Sequence, residues 1–352
     1  MRTDTEVARR LQLDAPIIQG PFGSGLSSVD LAVAVSNSGG LGSFGVHHLE
    51  SAGIRDIDAR IRERTQRSYA LNLWIPHQDA DDPRLTDAQW KGALELLRPW
   101  FEELRVALPD RPVRFTPRYA EQVETVLELR PPVFSFVFGV PGADVLERCR
   151  RAGIVTIGAA TIPEEARALA DAGVDMVVAS GMEAGGHRVS FLREPEDCLT
   201  GMMALVPAVV DAVKVPVIAA GGVVDRLGVE AALTLGAGAA QVGTAFLACD
   251  ESNATPLHKQ MLFSDVVRRT SLTRAFTGRL ARSIHNEFIE RMKGQEAKLP
   301  PYPVQAWLTA RLKEAALKSG RWDVISLWAG QGAGRLKHHR ARELFGALAT
   351  AS

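Results

Sequence analysis

Eight short apolar runs, separated by longer amphipathic segments, constrain the fold of this chain more than any other feature. They lie at 16–18, 41–45, 69–74, 133–138, 154–158, 175–179, 216–220 and 240–243. Most are apolar at every position instead of every second one, which is the pattern of strands buried on both faces in a parallel sheet covered by helices. Parallel neighbours need a crossover of a dozen or more residues, and the amphipathic segments supply it. Eight such repeats predict an α/β fold, a TIM (β/α)8 barrel, which typically takes about 250 residues. A length of 352 residues would also allow two average domains, so the repeat, and not the length, selects one barrel with an insertion.

Local signals agree with the repeat. Ser27 and Asp30 read as a capping box ahead of LAVAVSNSGG, with the tandem Gly39 and Gly40 as the stop. Pro163, Glu164 and Glu165 open ARALADAG, the acidic pair suiting the positive end of the helix dipole, and Gly173 closes it. Two stretches fall outside the cycle. Residues 76–118 contain the amphipathic helix AQWKGALELLRPWFEELRVAL, expected to decorate the third unit. After Asp250 the chain reads as helix and loop as far as Gly320, with a break at KLPPYPVQ. The expected division is a barrel at 1–255, a smaller helical lobe covering its mouth at 256–320, and a C-terminal segment at 321–352 packing back on the barrel. In that last segment RLKHHRARELFGALA reads as an amphipathic helix with a solvated basic face.

Charge narrows the partners. The 41 basic residues balance 41 acidic ones, so no overall field favours nucleic acid or an anionic membrane, and a small molecule is the expected partner. Cys149, Cys198 and Cys249 are odd in number, far apart and in no Cys-x-x-Cys pair, which suits reduced thiols in a cytoplasmic protein and no metal. The N-terminus, MRTDTEVARRLQL, carries charge where a secretory peptide needs an apolar stretch. The most apolar region, 205–224, is broken by Asp211, Lys214 and Pro216 and reads as helix, turn and strand, not as a membrane span. The oligomeric state is not legible, a homodimer being one option.

The strongest chemical signal is the pair of glycine-rich turns IAAGGVVD and AQVGTAF, after the seventh and eighth strands. In a barrel these neighbouring turns form the usual phosphate cradle, with Gly221, Gly222, Gly243 and Thr244 as N–H donors and a following helix adding its positive end. GPFGSGLSS, at 20–28, resembles a dinucleotide fingerprint but ends in Ser28, and the next strand lacks the acidic residue that would hold a ribose; a glycine-lined loop through Gly23 suits a flat ring lying on the backbone better. GMEAGGHRVSF, after the sixth strand, is too rich in glycine for a regular helix, so Glu183 and His187 are not a metal pair. His187 on that loop could act as general acid or base. Asn72 could meet a heterocycle edge with its amide. Phe22, Phe44, Trp74 and Phe138 could form apolar walls, and His47, His48 and His77 read as structural.

Together APIIQGPFGSG, AVSNSGGLGSFG, ALNLWIP, EAGGH, VPVIAAGGV, LGAGAAQVGTAF and WAGQ resemble the nitronate monooxygenase family, once called 2-nitropropane dioxygenases, over most of the chain. The resemblance implies that FMN is the cofactor, contacted by Asn72, Gly185, Gly222, Gln241, Val242, Gly243 and Thr244, with His187 as the catalytic histidine. Gly23, Ser180, Gly186 and Gly221 complete the expected cofactor contacts. It also implies oxidation of a nitronate, or of a nitroalkane deprotonated by His187, by way of FMN and oxygen to a carbonyl product and nitrite; a protonated His187 would pair with the nitronate. Two departures stand out. Ser180 occupies a position where many members have glutamine, and Ala245 one where many have arginine, which leaves a phosphate to backbone groups. Arg188 reads as a solvated arginine or an anchor for an anionic substrate. An NAD(P)H-dependent flavin reductase and a non-catalytic flavin-binding module remain alternatives.

Overall fold

All eight apolar runs become strands in the computed structural model, which describes residues 3–76 and 85–349. They are β1 (Ile17–Gln19), β2 (Gly42–Gly45), β3 (Tyr69–Trp74), β4 (Val133–Val137), β5 (Val155–Ala160), β6 (Met176–Ser180), β8 (Val217–Ala220) and β9 (Ala239–Val242); the short β7 (Gly186–His187) lies in the loop after β6. The eight form one parallel sheet in the order β1-β9-β8-β6-β5-β4-β3-β2. The ends of that order meet, because Gln19 N–H donates to Leu41 O at 2.9 Å and Leu41 N–H donates to Ile17 O at 3.1 Å. The fold is a TIM barrel. Side chains alternate between its two layers: Ile18, Leu41, Ala70, Met176, Val178 and Ile218 fill the interior, while Ile17, Val177, Ala179 and Ala219 pack under the helices.

One end of the barrel is plugged. Helix Glu6–Leu11 sends Val7 and Leu11 into the interior cluster, and the hydroxyl of its cap Thr5 donates to Gly238 O at 2.6 Å, just before β9. The plug therefore sits at the N-terminal ends of the strands and leaves the C-terminal ends for the site. Helix Val29–Asn37 is capped by Ser28, which accepts from Leu31 N–H, and not by Ser27 as expected. Ser27 instead joins the loop at 20–28 to β2, accepting from Phe22 and Gly45 N–H.

A second hydrophobic core lies outside the barrel, and it draws on more of the chain than the sequence indicates. Helix Asp87–Glu103 contributes Trp90, Leu97, Trp100 and Phe101, and helix Val304–Lys318 contributes Leu308 and Leu312 to the same cluster. The stretch after Asp250 is not only helix and loop. It holds a hairpin, β10 (Thr270–Thr273) and β11 (Ala281–Ile284), whose second strand pairs antiparallel with β7. Helix Ala341–Ala349 packs on helices Val29–Asn37 and Arg226–Thr234 through Leu344, Phe345 and Leu348, so it belongs to the barrel's outer layer. The basic residues 335–340 precede that helix instead of forming its face.

Candidate active site

A cavity of about 1150 Å³, open mouth included, lies at the C-terminal ends of the strands. Of the residues expected there from the sequence, Gly23, Asn72, Ser180, Gly185, His187, Gly221, Gly222, Gln241, Gly243 and Thr244 line it. Gly186 and Val242 do not: Gly186 is held in the small sheet opposite Arg282, and the Val242 side chain packs in the barrel's outer core. Phe22, Trp74 and Phe138 form walls, whereas Phe44 is core. Asn72 lies inside β3 and not at its end, and donates to Ser135 Oγ at 3.0 Å. Trp328, Gly330 and Gly332, from the C-terminal segment, complete the lining.

The glycine turns can hold an anion by their backbone. Gly221 and Gly222 have φ of +119° and +70°, conformations that side chains disfavour. A Cβ on Gly243 would meet nothing within 4 Å, so that position opens into the cavity. Among the described residues, no protein group accepts from the N–H of Gly222 or Gly243, and no lysine or arginine lines the cavity. Of the two helices that follow the turns, Thr244–Leu247 starts at its cap Gly243 beside the cavity, whereas the other is not free for a ligand. Helix Arg226–Thr234 is capped by Asp225, whose Oδ1 accepts from Gly228 N–H at 3.0 Å and which pairs with Arg335, so a carboxylate of the protein already serves that helix end. Gly185 answers to packing: a Cβ there would lie 2.6 Å from Gly330 N, where the loop crosses WAGQ and Gln331 N–H donates to Glu183 O at 2.9 Å.

His187 lines the same cavity, ringed by Trp74 at 5.0 Å, Trp328 at 5.4 Å and Phe138 at 6.2 Å between centroids. Its Nε2 is 2.9 Å from Thr277 Oγ1, which is 3.1 Å from Arg279 O. Thr277 has one hydroxyl proton; donated to Arg279 O, it leaves the oxygen to accept from His187 Nε2–H, and Nδ1 is then the free nitrogen. Burial, and next the positive Arg279, push the imidazole down to about 3. That direction favours an uncharged, weakly basic His187 at neutral pH over a protonated partner for an anion.

Three other side chains play roles that the sequence does not reveal. Arg188 is neither solvated nor a substrate anchor: it is 1% exposed and donates to Gly181 O at 2.7 Å, Ser180 O at 2.9 Å and Cys198 O at 3.3 Å. It fixes the end of β6 and the loop that carries His187. Glu165, expected only to favour a helix dipole, accepts from Thr161, Phe191 and Leu192 N–H and anchors the far end of that loop. Glu183 accepts from Met202 N–H at 2.9 Å, and no metal cluster occurs among the described residues. His47 stacks on Trp74 at 3.9 Å, and burial holds it and His48 below the ordinary imidazole value. Their Nδ1 atoms have no partner among the described residues. His77 lies outside the described residues. Thr277 and Arg279 gave no sequence signal, because β11 brings them to His187 across about ninety residues of chain.

Comparison with known proteins points the same way. The nitronate monooxygenase family model matches residues 6–349. A probable nitronate monooxygenase of Staphylococcus aureus is 36% identical over 332 residues, covering 94% of this chain and 92% of the relative. A nitroalkane oxidase from Streptomyces ansochromogenes superimposes with a TM-score of 0.89 at 38% identity, over 97% of this chain and 96% of its own. FabK from Thermotoga maritima does so with a TM-score of 0.74 at 25% identity, over 98% and 95%. With a glycine cradle and a half-buried histidine meeting at the mouth of a closed barrel, and relatives matched almost end to end, the chain belongs to the nitronate monooxygenase family of oxidoreductases.

Proposed function

We propose that the protein uses FMN to oxidise alkyl nitronates with oxygen, giving a carbonyl product and nitrite. One observation carries this reading: a single cavity joins unpartnered amide N–H groups at Gly222 and Gly243 to an uncharged imidazole at His187. The residues present fit FMN. Gly222, Gly243 and Thr244 would hold the phosphate through N–H groups, and Asn72, Ser180 and Gln241 would meet the polar edge of the ring. When bound, FMN supplies the electron acceptance and its reoxidation by oxygen. Trp74, Phe138 and Trp328 shield the reacting end from water, and His187 presents Nδ1 to the substrate.

The lowered proton affinity of His187 separates two substrate forms. Taking a carbon-bound proton from a neutral nitroalkane needs a base poised near the working pH, and an imidazole at about 3 is poor at that task. A preformed nitronate has already lost the proton. With purified protein loaded with FMN, air-equilibrated ethyl nitronate should release nitrite at least about tenfold faster than nitroethane at neutral pH. His187→Asn should keep FMN, as read from the visible spectrum, keep most nitronate turnover, and lose the residual nitroalkane turnover. A fully loaded yellow protein that releases no nitrite from either compound would overturn the proposal.

A further inference from the structure

A nitronate is an anion, and neither the glycine turns nor the uncharged His187 carries a positive charge to meet it. Resting on the function proposed above, we propose that Arg279 is the charge partner of the ionised substrate and makes the site prefer a nitronate over its neutral parent.

The surroundings of Arg279 are those of a cation held ready. Its guanidinium carbon lies 4.2 Å from the ring centroid of Phe138, 4.2 Å from that of Tyr302 and 6.0 Å from that of Trp74. Phe138 and Trp74 are also neighbours of His187, so cation and imidazole share two walls. A smaller hollow of about 350 Å³, lined by Arg279, His47, Trp74 and Tyr302, adjoins the main cavity at Trp74. The guanidinium is largely removed from water, which lowers its proton affinity to about 10 and leaves it charged at neutral pH. Aromatic faces attract a cation but take none of its hydrogen bonds.

Arginines with structural roles in this protein look different. Arg188 donates to three carbonyls, Arg282 donates to Met182 O at 2.9 Å, and Arg274 pairs with Glu196 at 2.8 Å. Among the described residues Arg279 has no carboxylate partner, and its guanidinium donates to no protein oxygen. Five N–H donors in a fork are thus available for a planar O–N–O or O–C–O group. A half-buried charge without a partner is costly, and such a group beside a cavity marks a ligand site.

The test uses the FMN-loaded enzyme with Arg279→Gln and Arg279→Lys, both checked for retained flavin and an unchanged melting temperature. Arg279→Gln should lower kcat/KM for ethyl nitronate about tenfold to a hundredfold, mainly through KM, while nitroethane changes by less than about threefold. Arg279→Lys, which keeps the charge without the fork, should recover part of the loss. Nitrite, a planar O–N–O anion, gives a readout that needs no turnover: its Kd, followed by fluorescence quenching of tryptophan, should rise by a similar factor in Arg279→Gln. Equal losses for the two substrates, or unchanged nitrite binding, would overturn the assignment. If the native enzyme turns over no nitronate yet binds nitrite in an Arg279-dependent way, the proposed function fails and the anion site stands.

Discussion

On the proposed function, the hydroxyl of Thr277 should decide which nitrogen of His187 meets the substrate. With the Thr277 proton donated to Arg279 O, we predict that the imidazole is held as the Nε2–H tautomer. Thr277→Val removes the acceptor and frees the ring to invert its tautomer or rotate, while Thr277→Ser preserves it. Nitrogen-15 NMR of the imidazole should show a protonated Nε2 in the native protein and in Thr277→Ser, and a mixed population in Thr277→Val, at a stability cost of about 1 kcal/mol. A native spectrum with the proton on Nδ1 would refute the assignment. His187 itself was legible in the sequence because EAGGH puts an imidazole on a glycine-rich loop at the catalytic end of a barrel strand. Thr277 was not. Threonine in TGR is an ordinary turn residue, and only the pairing of Ala281 with His187 gives it a partner.

At the scale of elements, the strands were readable because burial on both faces leaves an unbroken apolar run, and their ends moved by only a residue or two. The small sheet of β10, β11 and β7 was not, since β7 has two residues and no periodicity to detect. What holds that loop is Arg188, and its misreading as solvated shows the limit of composition: a charged residue beside glycines looks exposed until three carbonyls are seen to converge on it. Arg188→Met fills a similar volume but leaves the carbonyls of Ser180, Gly181 and Cys198 short of a donor. Thermal unfolding should report a loss of about 2 kcal/mol, with weaker FMN retention because Ser180 and Gly185 lie on the released stretch. A variant as stable as the native protein, with full flavin affinity, would show that those carbonyls find other donors.

The whole molecule divides the labour of its site between two cores. The glycine turns at Gly222 and Gly243, proposed to cradle the phosphate, stand on β8 and β9, whose side chains belong to the barrel. Thr277 and Arg279 stand on the β10–β11 connection, next to the second core, in which Ile284, Phe276 and Phe288 are packed. Trp100 ties that core to helix Asp87–Glu103: its ring lies 4.8 Å from Phe288, and the Arg291 guanidinium lies 3.7 Å from its centroid. Trp100→Ala removes a buried aromatic and should cost about 3–5 kcal/mol, concentrated in the second core. Because the cradle has its own core, loosening the lobe should disturb Thr277 and Arg279 more than it disturbs the phosphate. Below its melting temperature, the variant should therefore bind FMN with nearly native affinity and lose preference for nitronate over nitroalkane, as is expected of Arg279→Gln. FMN affinity falling in step with that preference would mean that cradle and anion site are one mechanical unit, because a barrel independent of the lobe has no reason to release its phosphate when a distant tryptophan is removed.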